Sequence, residues 1–420
     1  MYQKVTLANG LRVITSAMPY TRSVSVVFFI GAGPRYESDS YAGVAHFVEH
    51  LCFKGTQKRK SAREISEAIE SVGGMLNGGT DKELTSFWCR VPSRYLDLAV
   101  DVLVDIMCNP RFEMGDIERE RQVIIEEINM SLDSPRQRVA MLIDELLWPG
   151  QPLGRDIAGS KETVASLTRQ QIMEFYQGHY LSNNVVASVA GDIDQKRAED
   201  VIAQAVDGWR SGDVFAGFSS TGVAEQNRVN IEFRETEQLQ ICLGVPGVSI
   251  FHPDRYAIDL LSIIMGEGMS SRLFLRLREE RGLAYEIHSY ADHFTDTGAF
   301  IVHAGVDPEH GEAAVRAIVE ELIAITEDVT QSELDKAKEI AKGRLVLSLE
   351  NSRAVAGWLG VQELLTKRIL SVDEVIALVE AVTTEDLKRV ARVLFTSGRF
   401  SLAAVGPVKN EDLLVKALNV

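Results

Sequence analysis

The sequence predicts an α+β chain built as two duplicated domains, and three observations carry that expectation. Its 420 residues exceed what one ordinary core accommodates. Helical and strand patterns alternate along it. A weak internal repeat relates the two halves.

The opening segment, MYQKVTLANGLRVITS, reads as a strand, a tight turn at ANG and a second strand. It has neither the basic-then-apolar pattern of a secretory leader nor the Arg/Ser-rich pattern of a transit peptide. SVSVVFFIGAG (23–33) reads as a strand rich in β-branched residues and ended by glycines. YLDLAVDVLVDIMCNP (95–110) has helical apolar spacing and stops at Asn109-Pro110. WRSGDVFAGFSSTGVAEQN (209–227) loses periodicity and gathers Gly and Ser. It divides the chain into an N-terminal domain at 1–212, a linker at 213–229 and a C-terminal domain at 230–420.

The repeat supports that division. SLDSPRQRVA (131–140) resembles SLENSRAVA (348–356), and each follows a long charged helix, ERERQVIIEEINM or ELDKAKEIAKGRLVL. Upstream, AVDVLVDIM (99–107) parallels AVRAIVEEL (314–322). Duplicated α+β domains explain this; two generic amphipathic helices are the simpler alternative. Where the first half has Glu127, the matching position of the second is Arg344.

A hydrophobic content of 45% with 25% charged residues is that of a globular protein rather than a disordered one. No apolar run approaches the roughly 20 residues that span a bilayer, so no membrane association is expected and a cytoplasmic location is the default. The net charge of −16 argues against nucleic acid as a partner, because phosphate contacts need clustered Lys and Arg. Such charge ordinarily serves solubility, and it also favours basic ligands by steering. Cys52, Cys89, Cys108 and Cys242 show no paired metal-ligand spacing and read as thiols of a reducing compartment.

The chemistry gathers in GVAHFVEHLCFKGT (43–56). On a helix, His46, Glu49 and His50 share one face. Two neutral imidazoles at i, i+4 suit a tetrahedral Zn²⁺, and a carboxylate beside them can take a proton from water. A catalytic zinc needs a third protein ligand, and DIERERQVIIEEINM (116–130) offers several carboxylates. Glu120 and Glu127 lie two turns apart on one face, with Glu126 about 100° away. Glu127 also neighbours Val123, Ile124 and Ile128, an apolar setting in which a carboxylate needs a cation. Against this stands the plainer alternative of a hydrogen-bonded core histidine and a solvated charged helix.

These motifs resemble the inverted-motif (HxxEH) zinc metallopeptidases, the family of pitrilysin, insulin-degrading enzyme and the mitochondrial processing peptidase. GVAHFVEHLCFKGT is similar to the family's zinc helix and ERERQVIIEEINM to its third-ligand helix. GMSSRLFLRLREERGLAY (268–285) is similar to a segment of its C-terminal half, so the resemblance spans essentially the whole chain. It implies that His46, His50 and Glu127 bind one Zn²⁺ per chain, that Glu49 is the general base and that Glu120 orients the site. Arg278 and Tyr285 match the family's substrate-side pair, suited to hydrogen-bonding a peptide and stabilising an oxyanion. Without the resemblance they read as a surface Arg and a packed Tyr. GGMLNGGTDKELTSFWCRV (73–91) resembles the edge strand that binds peptide by strand addition, with Asn77 at its polar position. The following GGT departs from the family's usual small-then-bulky residues, which puts the neighbouring subsite's shape in question.

The resemblance further implies that each domain is a mainly antiparallel sheet flanked by helices and that the two pair as half of a clamshell. A homodimer would rebuild the chamber, with the partner C-terminal domain completing each active site. The expected activity is that of a zinc metalloendopeptidase acting on unfolded peptides or presequences. The alternative is a non-catalytic structural or peptide-binding subunit of the same family, which would be expected to lose ligands or the base; this sequence keeps them all.

Overall fold

β1 (Tyr2–Thr6) and β2 (Arg12–Ala17) open the computed structural model as an antiparallel pair, turning where Gly10 takes a φ of 85°. The structure describes residues 2–221, 228–396, 398–408 and 410–418. The first half continues with β3 (Ser23–Ile30), α1 (Val44–Cys52), α2 (Ala62–Glu70), β4 (Met75–Thr80) and β5 (Thr85–Pro92). It goes on through α3 (Leu96–Cys108), α4 (Met114–Asp133), α5 (Pro135–Leu147) and α6 (Lys161–Ser166). It ends with α7 (Arg169–His179), β6 (Val185–Gly191) and α8 (Gln195–Ala205).

The second half runs β7 (Arg228–Phe233), β8 (Leu239–Pro246), α9 (Arg255–Gly266), a π-helical segment at Phe274–Glu280, β9 (Ala284–His293) and β10 (Gly298–Val306). There follow α10 (Gly311–Asp328), α11 (Gln331–Ser348), α12 (Ser352–Thr366), α13 (Val372–Ala381), α14 (Thr384–Leu394), β11 (Ser401–Gly406) and α15 (Glu411–Ala417). Of the linker expected at 213–229, residues up to 221 carry no regular structure and Arg228 already opens β7. Residues 222–227 lie outside the described residues.

Two compact units result. The first comprises 1–129, 156–218 and 347–369, and the second 130–155, 219–346 and 370–420. The first unit's sheet has the order β1-β2-β6-β3-β5-β4 and the second's β7-β11-β8-β10-β9. In each, one parallel pair (β2 with β6, β7 with β11) joins otherwise antiparallel neighbours, so the second sheet repeats the first without its β1. This is the duplicated, mainly antiparallel α+β architecture that the sequence predicts.

The repeat has a further consequence in the way the helices are shared out. α12, from the second half, covers the first sheet: Ala356, Leu359 and Leu364 pack with Val27, Phe29, Trp88 and Val186. Likewise α5, from the first half, covers the second sheet, with Val139, Leu142, Ile143 and Leu147 against Cys242, Ile301, Ala403 and Val405. The two copies of the repeat have exchanged this helix. Each fully buried aliphatic side chain contributes about 1.5–3 kcal/mol, so the exchange ties widely separated stretches of chain into each unit.

Candidate metal centre

In the first unit α1 begins at Gly43, whose φ of 91° and contact with Ala158 leave no room for a side chain. The buried carboxylate of Glu37 accepts from the backbone N–H groups of Gly43 (2.9 Å) and Ala45 (2.8 Å), placing negative charge at the positive end of the helix. Thus anchored, α1 buries Phe47, Val48 and Leu51 and turns His46, Glu49 and His50 to one side.

Glu127 of α4 meets them there. His46 Nε2 and His50 Nε2 are 3.2 Å apart, and Glu127 Oε2 lies 3.9 Å from the first and 3.6 Å from the second. A zinc ion with bonds of about 2.0–2.1 Å sets its ligand atoms roughly 3.3 Å apart, and these three separations bracket that spacing. The donor set, two imidazole nitrogens and a carboxylate oxygen, fits zinc in the same way. Glu126 is exposed, while Glu127 is half-buried over the imidazoles.

Glu120, a buried carboxylate on α4, accepts from His50 Nδ1 at 3.2 Å and from Lys54 Nζ at 2.7 Å. An ionised carboxylate only accepts, so His50 carries its proton on Nδ1 and directs the Nε2 lone pair at the centre. His46 Nδ1 is buried with no hydrogen-bond partner among the described residues. Burial, with His50 beside it, pushes the His46 imidazolium down to about 4. Burial also works against charge on His50, but the hydrogen bond to Glu120 and the nearby carboxylates lift it overall. For Glu120 burial raises the carboxyl, and the bonds from His50 and Lys54 outweigh it, so the net direction is down.

Glu49 is 7% exposed, with Thr80 Oγ1 3.5 Å from its Oε2. Burial lifts its carboxyl above the ordinary value; His50 opposes that, Glu127 adds to it and a 3.5 Å contact from Thr80 Oγ1 opposes it again. A carboxylate lifted by burial next to a metal-type donor set is arranged to accept and release a proton.

The edge strand explains the GGT departure. Among the described residues β4 pairs with β5 alone, and its alternation aims Gly78 and Thr80 at α1. A Cβ on Gly78 would stand 2.6 Å from Glu49 Oε1 and 2.9 Å from the Phe53 ring. Glycine here lets the strand lie directly against the carboxylate. Asn77 is exposed on the other face, its Oδ1 accepting from the Gly78 N–H at 2.8 Å, and is not brought to the donor group. Lys54, Gly78 and Thr80 make contacts that sequence reasoning passed over, although all three lie in GVAHFVEHLCFKGT or GGMLNGGTDKELTSFWCRV. Strand alternation from Gly78 would have pointed to Thr80.

In the second unit, Arg278 lies on the π-helical segment with its guanidinium 4.9 Å from the Phe274 ring centroid and 5.7 Å from that of Tyr285. The pair predicted from the sequence is therefore together, and Tyr285 is 70% exposed.

Comparison with known proteins agrees with this geometry. Residues 12–161 match the family described as insulinase (peptidase family M16), and residues 166–341 match the peptidase M16 inactive domain. An uncharacterized zinc protease of Streptomyces coelicolor is 36% identical over 98% of this chain and 90% of its own length. One of Bacillus subtilis is 34% identical over 98% of this chain and 99% of its own. Among solved structures, a protease from Helicobacter pylori has the same fold, with a TM-score of 0.92 at 24% identity over 97% of this chain and 99% of that one. A chain of complex III from Candida albicans also shares it, with a TM-score of 0.85 at 18% identity over 99% of both chains. With matches on both halves and full-length relatives above a third identical, the chain belongs to the insulinase family of peptidases, family M16.

Proposed function

We propose that this chain is a zinc metalloendopeptidase that cleaves unfolded peptides or presequences. The observation that carries the reading is the approach of His46 Nε2, His50 Nε2 and Glu127 Oε2 to within 3.2–3.9 Å of one another beside the buried Glu49. These three residues would hold one zinc per chain. When bound, the ion supplies Lewis acidity, polarising a carbonyl and making water acidic enough to attack near neutral pH.

The chain's own groups do the rest. Glu49 takes a proton from the attacking water and gives it to the leaving amine. Glu120 keeps His50 in the tautomer that presents Nε2, and Lys54 keeps Glu120 ionised. The free edge of β4 receives the peptide as an added strand, with Asn77 at its exposed face and Gly78 leaving room for the scissile bond beside Glu49. Arg278 and Tyr285 hydrogen-bond the substrate and the developing oxyanion. We assign them to the zinc helix of a second copy, in a homodimer that encloses a chamber and admits only unfolded chains.

Quenched-fluorescence peptides test the activity. Cleavage should stop with a chelator and return with Zn²⁺, and Glu49→Gln should be silent while keeping its zinc. Cleavage indifferent to the chelator, or normal turnover by Glu49→Gln, would sink the reading. Mixing Glu49→Gln chains with Arg278→Ala chains tests the assembly: random pairing should restore roughly a quarter of wild-type activity. No restoration means each chain completes its own site.

A further inference from the structure

Glu286 and His288 on β9 and His303 on β10 form a second group of metal-type donors, outside every residue given a role above. His288 and His303 are directly opposite in the β9–β10 register, and Glu286, two residues before His288, shares their face. The imidazole centroids are 4.9 Å apart and His303 Nδ1 lies 3.5 Å from Glu286 Oε1. One donor atom from each of the three residues lies within 4.8 Å of the others.

This is the sheet face that α5 covers. Cys242, opposite His303 on β8, is fully buried against that helix, as is Ile301. His303 is itself only 4% exposed, and neither of its ring nitrogens has a hydrogen-bond partner among the described residues. A buried imidazole left in that state is unfavourable and calls for an explanation. A proton does not provide it: burial, with His288 and Arg136 adding, pushes the His303 imidazolium down to about 3, and burial followed by Arg136 lowers His288 too. A neutral imidazole has one nitrogen lone pair to give, and that of buried His303 goes to no partner among the described residues.

We propose that Glu286, His288 and His303 form a second divalent-cation site, for an ion of the zinc type, separate from the centre on α1. Two imidazoles and a carboxylate are a donor set that zinc accepts, and the fourth corner would be open to water. Arg136, in the first turn of α5, is the resident cation there: its Nη1 lies 2.7 Å from Glu286 Oε1 and 2.9 Å from Oε2. Binding exchanges that contact for the ion, so the arginine competes with the metal and sets its affinity. Because Glu286 follows Tyr285 in the chain, a bound ion would tie this strand to β10 one residue from the exposed phenol.

Equilibrium dialysis of the full chain against Zn²⁺, followed by metal analysis, tests the site without reference to peptide cleavage. Wild type should bind two equivalents and the His46→Ala/His50→Ala chain one. Adding Glu286→Gln or His303→Asn to that chain should abolish the remaining equivalent. Adding Arg136→Ala instead, at a side chain that is 56% exposed and so a mild change for the fold, should tighten it severalfold. A His46→Ala/His50→Ala chain that is folded by circular dichroism yet binds no zinc overturns the proposal. So does an equivalent that ignores Glu286→Gln, His303→Asn and Arg136→Ala alike. The two centres are separable: wild type losing nothing on His46→Ala/His50→Ala would refute the reading of the first centre and leave this one standing.

Discussion

Glu127 on α4 and Arg344 on α11 occupy matching places in the two halves, on helices that follow sheets of the same strand order. In the second unit Arg344 is ion-paired with Glu267, just past the end of α9. In the first unit Glu127 faces two imidazoles, one of which burial holds strongly toward its neutral form. One unit thus neutralises its charge within the chain, while the other leaves a carboxylate and two lone pairs converging on a gap of ionic size. A duplicated scaffold has kept its geometry in both copies, and at this matched pair of positions it is the first copy whose donors converge without a cationic side chain among the described residues.

That contrast can be broken at several points. Gly78→Ala should have a large effect for one methyl group, because the new Cβ would sit 2.6 Å from Glu49 Oε1. Displacing the base by a fraction of an ångström to one ångström predicts a fall in kcat of about 100-fold with zinc content unchanged. Unimpaired turnover would show that β4 does not constrain Glu49. Arg344→Met should act far more weakly. The pair it breaks is partly exposed, so thermal denaturation should register a loss of no more than about 1 kcal/mol, with cleavage and zinc content unaltered. A loss of peptidase activity there would mean that the second copy of the site is not inert.

Much of the first centre was legible in the sequence because helical periodicity is rigid. His46, Glu49 and His50 had to share a face once their segment was helical, whereas the choice of Glu127 over Glu126 came from the resemblance to the family's third-ligand helix. Contacts set by tertiary placement were not legible in this way. The hydrogen bond from Lys54 to Glu120 depends on how two helices meet, and the GGT stretch looked like an anomaly until β4 was seen to run against Glu49. His288 and His303 become neighbours only through strand register. The repeat identified α5 and α12 as equivalent, but an amphipathic pattern does not say which sheet a helix will cover, so their exchange was invisible.

The choice between two adjacent carboxylates gives the sharpest test of the first centre. Zinc content and peptide cleavage should be measured together on Glu127→Gln and Glu126→Gln. Glu127→Gln should lose one equivalent of zinc and all chelator-sensitive cleavage, while Glu126→Gln should match wild type. Full zinc in Glu127→Gln, or its loss from Glu126→Gln, would contradict the choice of Glu127.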